Sequence, residues 1–294
     1  MSDAPAIART LGGRWRGSYG RACCPACGDT NSENPALSIR NGVTGSLLLW
    51  CFKGCSFSEI LAALNGMGLV DGTGAFRPPS PEDIRQHRAE VEAEAVKRAD
   101  QAYRCWQEAG PISGTPAEAY LRSRGITFEL PDTLRFHPDC WHAGGKRFSA
   151  MVAMVEGSQR FAIHRTYLEG PRKADVTPNK AMLGSVKGGA VRLTEGDGPL
   201  VVAEGIETAL SLACGPLRGP ATIWAALSAG GMKALNLPEI PGRLTVASDG
   251  DAAGRAAGQE LASRAHALGW SVSLLPAPEG RDWNDVIRAK EVSV

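Results

Sequence analysis

Two short apolar runs in this chain end in acid and glycine: Leu200-Val-Val-Ala-Glu204-Gly205 and, further on, Leu244-Thr-Val-Ala-Ser-Asp249-Gly250-Asp251. In an open α/β sheet, ligands sit just beyond the carboxyl ends of the strands. A Glu and an Asp-x-Asp delivered there by neighbouring strands form an all-oxygen cluster, which suits Mg²⁺ or Mn²⁺ and phosphate chemistry. Adjacent carboxylates repel one another, so such a group persists best when a cation neutralises it. Gly205 and Gly250 leave room for a phosphate to approach the backbone. Glu207 is either a supporting partner behind the cluster or an acid at the positive end of a helix. Asp282 and Asp285 either complete the site or cap a last short helix, and Asp285 is retained as a candidate metal ligand.

A second set of donors lies near the N-terminus. Cys24-Pro-Ala-Cys27 and Cys51-Phe-Lys-Gly-Cys55 are two close pairs with 23 intervening residues. Thiolates two or three residues apart in a tight turn reach one tetrahedral ion, so the four predict a structural zinc site with no open coordination position. Cys23 could substitute for Cys24, but the x₂ spacing favours Cys24. The remaining cysteines, Cys23, Cys105, Cys140 and Cys214, read as ordinary thiols. Around the module Arg21, Arg40, Lys53 and Trp50 combine cationic and aromatic character, which suits single-stranded nucleic acid. Trp50 either stacks on bases or packs against the module itself.

The 294 residues allow one small module plus a larger domain, and a hydrophobic content of 43% with 21% charged residues fits an ordinary globular chain. No segment has the length of apolar sequence that a membrane helix needs, and the first residues lack the apolar core of a signal peptide, so a cytoplasmic, membrane-free protein is expected. The net charge of +1 hides an uneven distribution. Residues 121–192 carry twelve Lys/Arg against six Asp/Glu, whereas residues 193–294 carry eight against twelve. A basic middle beside an acidic end could grip phosphates on one side and metal on the other. Lys173 and Lys180 are the foremost candidates for nucleotide or DNA binding, with Arg165, Lys146 and Arg147 behind them.

These groups require an α/β chain in four parts. Residues 1–70 form a zinc-binding module of ribbon type, with strands at 36–39 and 46–50 and a small helix after Ser58. Residues 71–114 form a breaker-rich linker and a helix over 82–109. Residues 115–195 form a basic α+β subdomain, opening on a short helix capped by Thr115-Pro116-Ala-Glu118 that stops at Gly125. Residues 196–294 alternate strand and helix, which predicts a mostly parallel, Rossmann-like sheet. The strands fall at 199–203, 221–226, 243–248 and 270–275, and the helices at 206–214, 229–235 and 252–268.

Taken in order, the motifs resemble a known family. Val202-Ala-Glu204-Gly-Ile-Glu-Thr-Ala-Leu, Val246-Ala-Ser-Asp249-Gly-Asp251-Ala-Ala-Gly-Arg255 and Arg281-Asp-Trp-Asn-Asp285 are similar to a Toprim domain, the metal-binding fold of bacterial-type primases, topoisomerases and some nucleases. Cys24-Pro-x-Cys27 with Trp50-Cys51-x₃-Cys55 resembles the zinc module of phage- and plasmid-type primases. The segment from Ala150 through His164, Arg165 and Lys173 to Lys180 and Gly184 is similar to the basic subdomain that precedes Toprim in those enzymes. The chain departs from the pattern twice: the module has four Cys where a His is common, and Thr208 stands where the first Toprim motif often has Asp.

The resemblance implies a DNA primase of a phage, plasmid or other mobile element. It would synthesise short RNA primers on single-stranded DNA from NTPs, with Glu204, Asp249 and Asp251 holding Mg²⁺ or Mn²⁺ and zinc in the module. No Gly-x₄-Gly-Lys-[Ser/Thr] loop occurs, so a helicase partner is expected on a separate polypeptide and the primase itself as a monomer. The alternatives are a Toprim nuclease, which would admit water instead of a ribose hydroxyl, and a zinc-dependent DNA-binding replication accessory.

Overall fold

A computed structural model describes residues 4–42, 46–70, 81–217 and 219–291. The predicted linker over 71–80 lies outside them. The chain divides into two compact units, Met1–Glu92 and Ala93–Val294.

In the first unit, α1 (Ala4–Thr10), β1 (Arg14–Trp15), β2 (Gly20–Ala22), β3 (Leu37–Asn41), β4 (Leu47–Cys51) and α2 (Phe57–Gly66) follow in order. The strands form an antiparallel sheet in the order β1-β2-β3-β4. Alternation along β4 buries Leu49 and Cys51 and exposes Leu48 and Trp50, as a one-sided strand requires. The buried side packs with Ile7, Leu37, Ile39, Ile60 and Leu64. The helix starts two residues earlier than the sequence suggests. Ser56, not Ser58, is the N-cap, because Glu59 stands three residues on and closes a reciprocal capping box.

The long helix α3 (Pro81–Glu108) leads into the second unit, followed by β5 (Gly110–Pro111), α4 (Pro116–Arg122), β6 (Leu134–Trp141), β7 (Arg147–Val155), β8 (Ala162–Glu169), β9 (Arg172–Lys173) and β10 (Lys180–Leu183). These strands form an antiparallel sheet, β10-β8-β7-β6-β5, with β9 paired to β8. Both its faces are covered. Ala150, Val152, Ile163 and Tyr167 pack with Ala102 and Trp106 of α3. Met151, Ala153 and Val155 point the other way, into a core shared with the remaining strands. Thr115 caps α4 as predicted, but the Glu118 carboxylate turns to the Gly114 N–H at 2.7 Å instead of the cap's own.

The last part contains β11 (Val191–Thr194), β12 (Leu200–Ala203), α5 (Ile206–Ala213), β13 (Thr222–Ala225), α6 (Ala229–Ala234), β14 (Arg243–Ala247), α7 (Ala252–Ala267), β15 (Ser271–Leu274) and α8 (Trp283–Glu291). The sheet order is β11-β13-β12-β14-β15, parallel throughout except for β11. All four residues of β12 are buried, the mark of a central strand covered on both faces. Val201 and Ala203 face one core, and Leu200 and Val202 face the other, with α6 and α7. No helix among the described residues is long and apolar enough to cross a membrane.

Candidate metal and phosphate site

Strands β12 and β14 are direct parallel neighbours, with Ala203 opposite Ala247. Their carboxyl ends therefore finish together, about 4.8 Å apart, and Glu204 and Asp249 leave the sheet at the same edge. Asp251 follows as N-cap of α7, its Oδ1 accepting the Gly254 N–H at 2.6 Å. Gly250 between them is required by space, because a Cβ there would collide with the backbone carbonyls of Pro278 and Arg281. The Gly250 N–H donates to the Arg281 carbonyl at 2.8 Å, which draws the following residue, Asp282, toward the cluster.

The electrostatics follow from this crowding. Burial raises the Asp249 carboxyl from 3.8 to about 7, and the charges of Glu204, Asp282 and Asp251 add to the rise. Its Oδ1 is buried with no hydrogen-bond partner among the described residues. Glu204 is also raised by burial and by Asp251, against the opposing pull of the Ala229 N–H and Lys180. That N–H is brought in by a strained turn after β13, where Leu227 is the one described non-glycine residue at positive φ, 71°.

Behind the acids lies a buried ion-pair network: Glu207 is one candidate support in the sequence, but its pairing with Lys173, Lys180 and Tyr120 is not foreseen there. Glu207, on the first turn of α5, is 4% exposed. Its Oε2 meets Lys180 Nζ at 3.0 Å and its Oε1 meets Lys173 Nζ at 3.3 Å. The Tyr120 hydroxyl donates to Oε1 at 2.7 Å. Burial alone would raise this carboxyl, but Lys180, Lys173 and Tyr120 hold it well below the usual carboxylate range. Burial pushes the Lys173 ammonium down. His164, on the same face of β8, is buried and lowered to about 4 by desolvation and Lys180, so it is neutral and packed. Asn284 pins the surround: its Nδ2 donates to the Arg124 carbonyl at 2.8 Å and to Ser211 Oγ at 2.9 Å, and its Oδ1 accepts from Arg124 Nε at 2.6 Å.

The structure gathers Glu204, Asp249, Asp251, Lys173 and Lys180 into one region, and the other predicted residues have partners of their own. Asp285 lies in the first turn of α8 in a reciprocal cap with Asp282: its N–H donates to Asp282 Oδ1 at 2.7 Å and its Oδ2 accepts the Asp282 N–H at 3.3 Å. It is Asp282 whose charge acts on Asp249. Arg165 does not stand behind the lysines. Strand alternation turns it to the opposite face of β8, where it is 4% exposed, donates to the Trp141 carbonyl at 3.0 Å and lies over the Tyr167 ring. Arg147 pairs with Asp139 at 3.2 Å, and Lys146 lies exposed in the turn before β7.

In the first unit the sulfurs of Cys24, Cys27, Cys51 and Cys55 all lie within 4.8 Å of one another. The Cys24–Cys55 and Cys27–Cys51 separations are both 3.9 Å. Tetrahedral ligation at zinc–sulfur distances requires sulfurs about 3.8 Å apart, so the four fit a single thiophilic ion, and Cys23 stays outside. Among the described residues this is the one set of three or more such donors so tightly gathered. The acids at the strand tips are more open. They fit a hard cation by donor type and by the unpartnered Asp249 oxygen.

Trp50 is 67% exposed and presented outward, beside Arg40 and the exposed Phe52 and Phe57. Lys53 is tied at 2.8 Å to the buried Asp29. Arg21 donates to the Pro35 carbonyl and lies over the Phe52 ring. Both therefore brace the module.

Comparison with protein families agrees with this layout. Residues 199–291 match the Toprim domain, and residues 96–193 match a domain of unknown function, DUF7146. Comparison with curated proteins gives no match. Among solved structures, the chain is similar to a DNA primase domain from Pseudomonas aeruginosa (19% identity, 67% of this chain and 74% of that one, TM-score 0.39). It is also similar to the zinc-binding and RNA polymerase domains of the Aquifex aeolicus primase (15% identity, 100% and 82%, TM-score 0.38). A third likeness is to the RNA polymerase domain of Mycobacterium tuberculosis primase DnaG (15%, 65% and 77%, TM-score 0.35). Likenesses this distant carry no weight on activity. Residues 199–291 are thus a Toprim domain, in a mixed α/β chain that also bears an N-terminal four-cysteine cluster.

Proposed function

We propose that this chain is a DNA primase, joining ribonucleoside triphosphates into short RNA primers on single-stranded DNA during replication of a phage, plasmid or other mobile element. The observation that carries the reading is the surplus of negative charge at the tips of β12 and β14, where the Asp249 Oδ1 is buried without a partner among the described residues. Glu204, Asp249 and Asp251 would hold one or two Mg²⁺ or Mn²⁺ ions. When bound, such ions neutralise phosphate charge and lower the pKa of an attacking ribose hydroxyl.

The protein's own groups do the positioning. Asp249, whose carboxyl is raised to about 7 by burial and the neighbouring acids, would hold the cation together with Glu204 and Asp251 as a carboxylate. Glu207 fixes Lys173 and Lys180 in direction, and Lys180 is close enough to act on both Glu204 and Asp249. It is the natural point charge for a triphosphate oxygen at the cluster. Nucleotidyl transfer depends mainly on such positioning and charge neutralisation. The four-cysteine module would hold zinc structurally and offer Trp50 and Arg40 to a single strand through stacking and phosphate contact. Residues 1–70, 71–114, 115–195 and 196–294 are proposed as the functional divisions, and a separate helicase as the partner of a monomeric, cytoplasmic enzyme.

The test is incubation with single-stranded DNA, labelled NTPs and Mg²⁺ or Mn²⁺, with products resolved by size. A ladder of short RNA, lost in Asp249→Asn and Asp251→Asn variants that keep their circular dichroism, supports the proposal. Shortened DNA would indicate a nuclease, and intact DNA without RNA a non-enzymatic accessory.

A further inference from the structure

A second cluster lies on the other face of the six-stranded sheet, away from the acids. Cys105 of α3 and Cys140 of β6 hold their sulfurs 3.7 Å apart. No third metal-binding side chain joins them closely among the described residues, so metal ligation does not account for the pairing. Both sulfurs line a cavity of about 330 Å³, with Arg165, Arg104, His137 and Glu108 also on its wall. Cys140 is 1% exposed and lines this cavity, whereas Cys105 is half-buried. The Arg165 guanidinium shares the cavity wall with Cys140 and its positive charge acts on that sulfur, and its Nε has no partner among the described residues. The S–H···S contact between the two sulfurs and the Arg165 charge hold the Cys140 thiol below its ordinary range, and the same contact with burial pushes Cys105 up. A buried sulfur beside a guanidinium, with a second thiol in contact, is the arrangement of an oxidisable pair. Nothing in the proposed polymerisation uses it.

We infer that Cys105 and Cys140 form a reversible, hydroperoxide-responsive disulfide site that ties α3 to the six-stranded sheet. The Cys140 thiolate attacks one peroxide oxygen: an S–O bond forms, the O–O bond breaks, and the departing oxygen takes a proton from solvent. Cys105 then attacks the Cys140 sulfur. The S–S bond forms, the S–O bond breaks, and hydroxide leaves with the Cys105 proton as water. Two thiols are thereby oxidised and one hydroperoxide reduced, and a dithiol reverses the step by exchange.

The test uses the full chain with its cysteine module loaded with zinc. Hydrogen peroxide is added, free thiols are alkylated under denaturing conditions, and the digest is mapped by mass spectrometry. The expected result is the loss of two of the eight alkylatable thiols, with the Cys105 and Cys140 peptides linked and both thiols recovered after dithiothreitol. In Cys105→Ser, Cys140 should stop at a sulfenic acid that dimedone traps. Full alkylation of Cys140 after peroxide, or linkage of either residue to Cys23 or Cys214 instead, would overturn the inference. Both outcomes are readable in the unmutated protein whether or not the variant folds.

Discussion

Replacing Asp249 by Asn should stabilise this protein when divalent cations are absent, although it removes the central ligand of the proposed metal site. The Asp249 carboxyl is raised from 3.8 to about 7 by burial and by Glu204, Asp282 and Asp251. A raised acid favours the native state fully at pH below its unfolded value, and that contribution is lost as pH climbs toward the native value. Each pKa unit corresponds to about 1.4 kcal/mol, so the full shift sets a ceiling of about 4 kcal/mol at pH 8. Asp249 is only partly buried, and water reaching the carboxyl reduces the expected effect to about 2 kcal/mol. Asparagine carries no charge at any of these pH values. In urea titrations followed by tryptophan fluorescence, with zinc retained and Mg²⁺ withheld, Asp249→Asn should exceed wild type by about 2 kcal/mol at pH 8. The gap should shrink to below about 1 kcal/mol at pH 5, where the native wild-type carboxyl is protonated. Mg²⁺ at 100 times its dissociation constant should then stabilise wild type alone, by about 2.7 kcal/mol. If the variant is no more stable than wild type at pH 8 without Mg²⁺, the crowding of charge at these strand tips is refuted.

Glu207→Gln leaves two lysines facing a neutral amide. Breaking a buried ion pair costs about 3–5 kcal/mol, and since Lys173 and Lys180 keep about a third of their side chains exposed, a loss of about 2 kcal/mol is expected in the urea midpoint with zinc content unchanged. Cys51→Ser should abolish stoichiometric zinc and expose the Met1–Glu92 unit to limited proteolysis, because metal affinity in such modules is folding free energy. Trp50→Ala should weaken single-stranded DNA binding by about 1 kcal/mol, roughly fivefold, if one base stacks there. Fluorescence anisotropy with a labelled oligonucleotide would show no change if Trp50 contributes nothing.

Most of the second unit's C-terminal sheet was legible because its signals are local. Short apolar runs ending in acid or glycine, alternating with helix-length segments, predict β12 to β15 and their crossovers to within a residue or two. The antiparallel edge strand β11 was not, since nothing in Val191-Arg-Leu-Thr194 distinguishes pairing with β13 from pairing with the preceding sheet. Two errors share one cause. The cap of α2 was placed at Ser58 and Arg165 beside Lys180 by composition alone. A glutamate three residues on selects Ser56 as the cap, and the two-residue repeat of β8 turns Arg165 away from His164 and Thr166. Register, once imposed, decides which of several eligible residues does the work.

The same reasoning explains why the acids were found and the partners of Glu207 were not. Glu204, Asp249 and Asp251 stand at chain positions where a strand must stop, so their convergence follows from adjacency of two strands. Glu207 bonds with Tyr120, Lys173 and Lys180, partners far off in sequence that only the fold brings near. One signal was nonetheless present. Glu207 is the lone charge within Ile206-Glu-Thr-Ala-Leu-Ser-Leu-Ala213, and a charge in a helix apolar all round cannot be buried unpaired without large cost. Its counter-charges come from the basic segment before the Toprim domain, where residues 121–192 carry twelve Lys/Arg against six Asp/Glu. A buried acid in the Toprim helix thus fixes the lysines that the polymerisation proposal needs, and the two regions of opposite charge are joined through it.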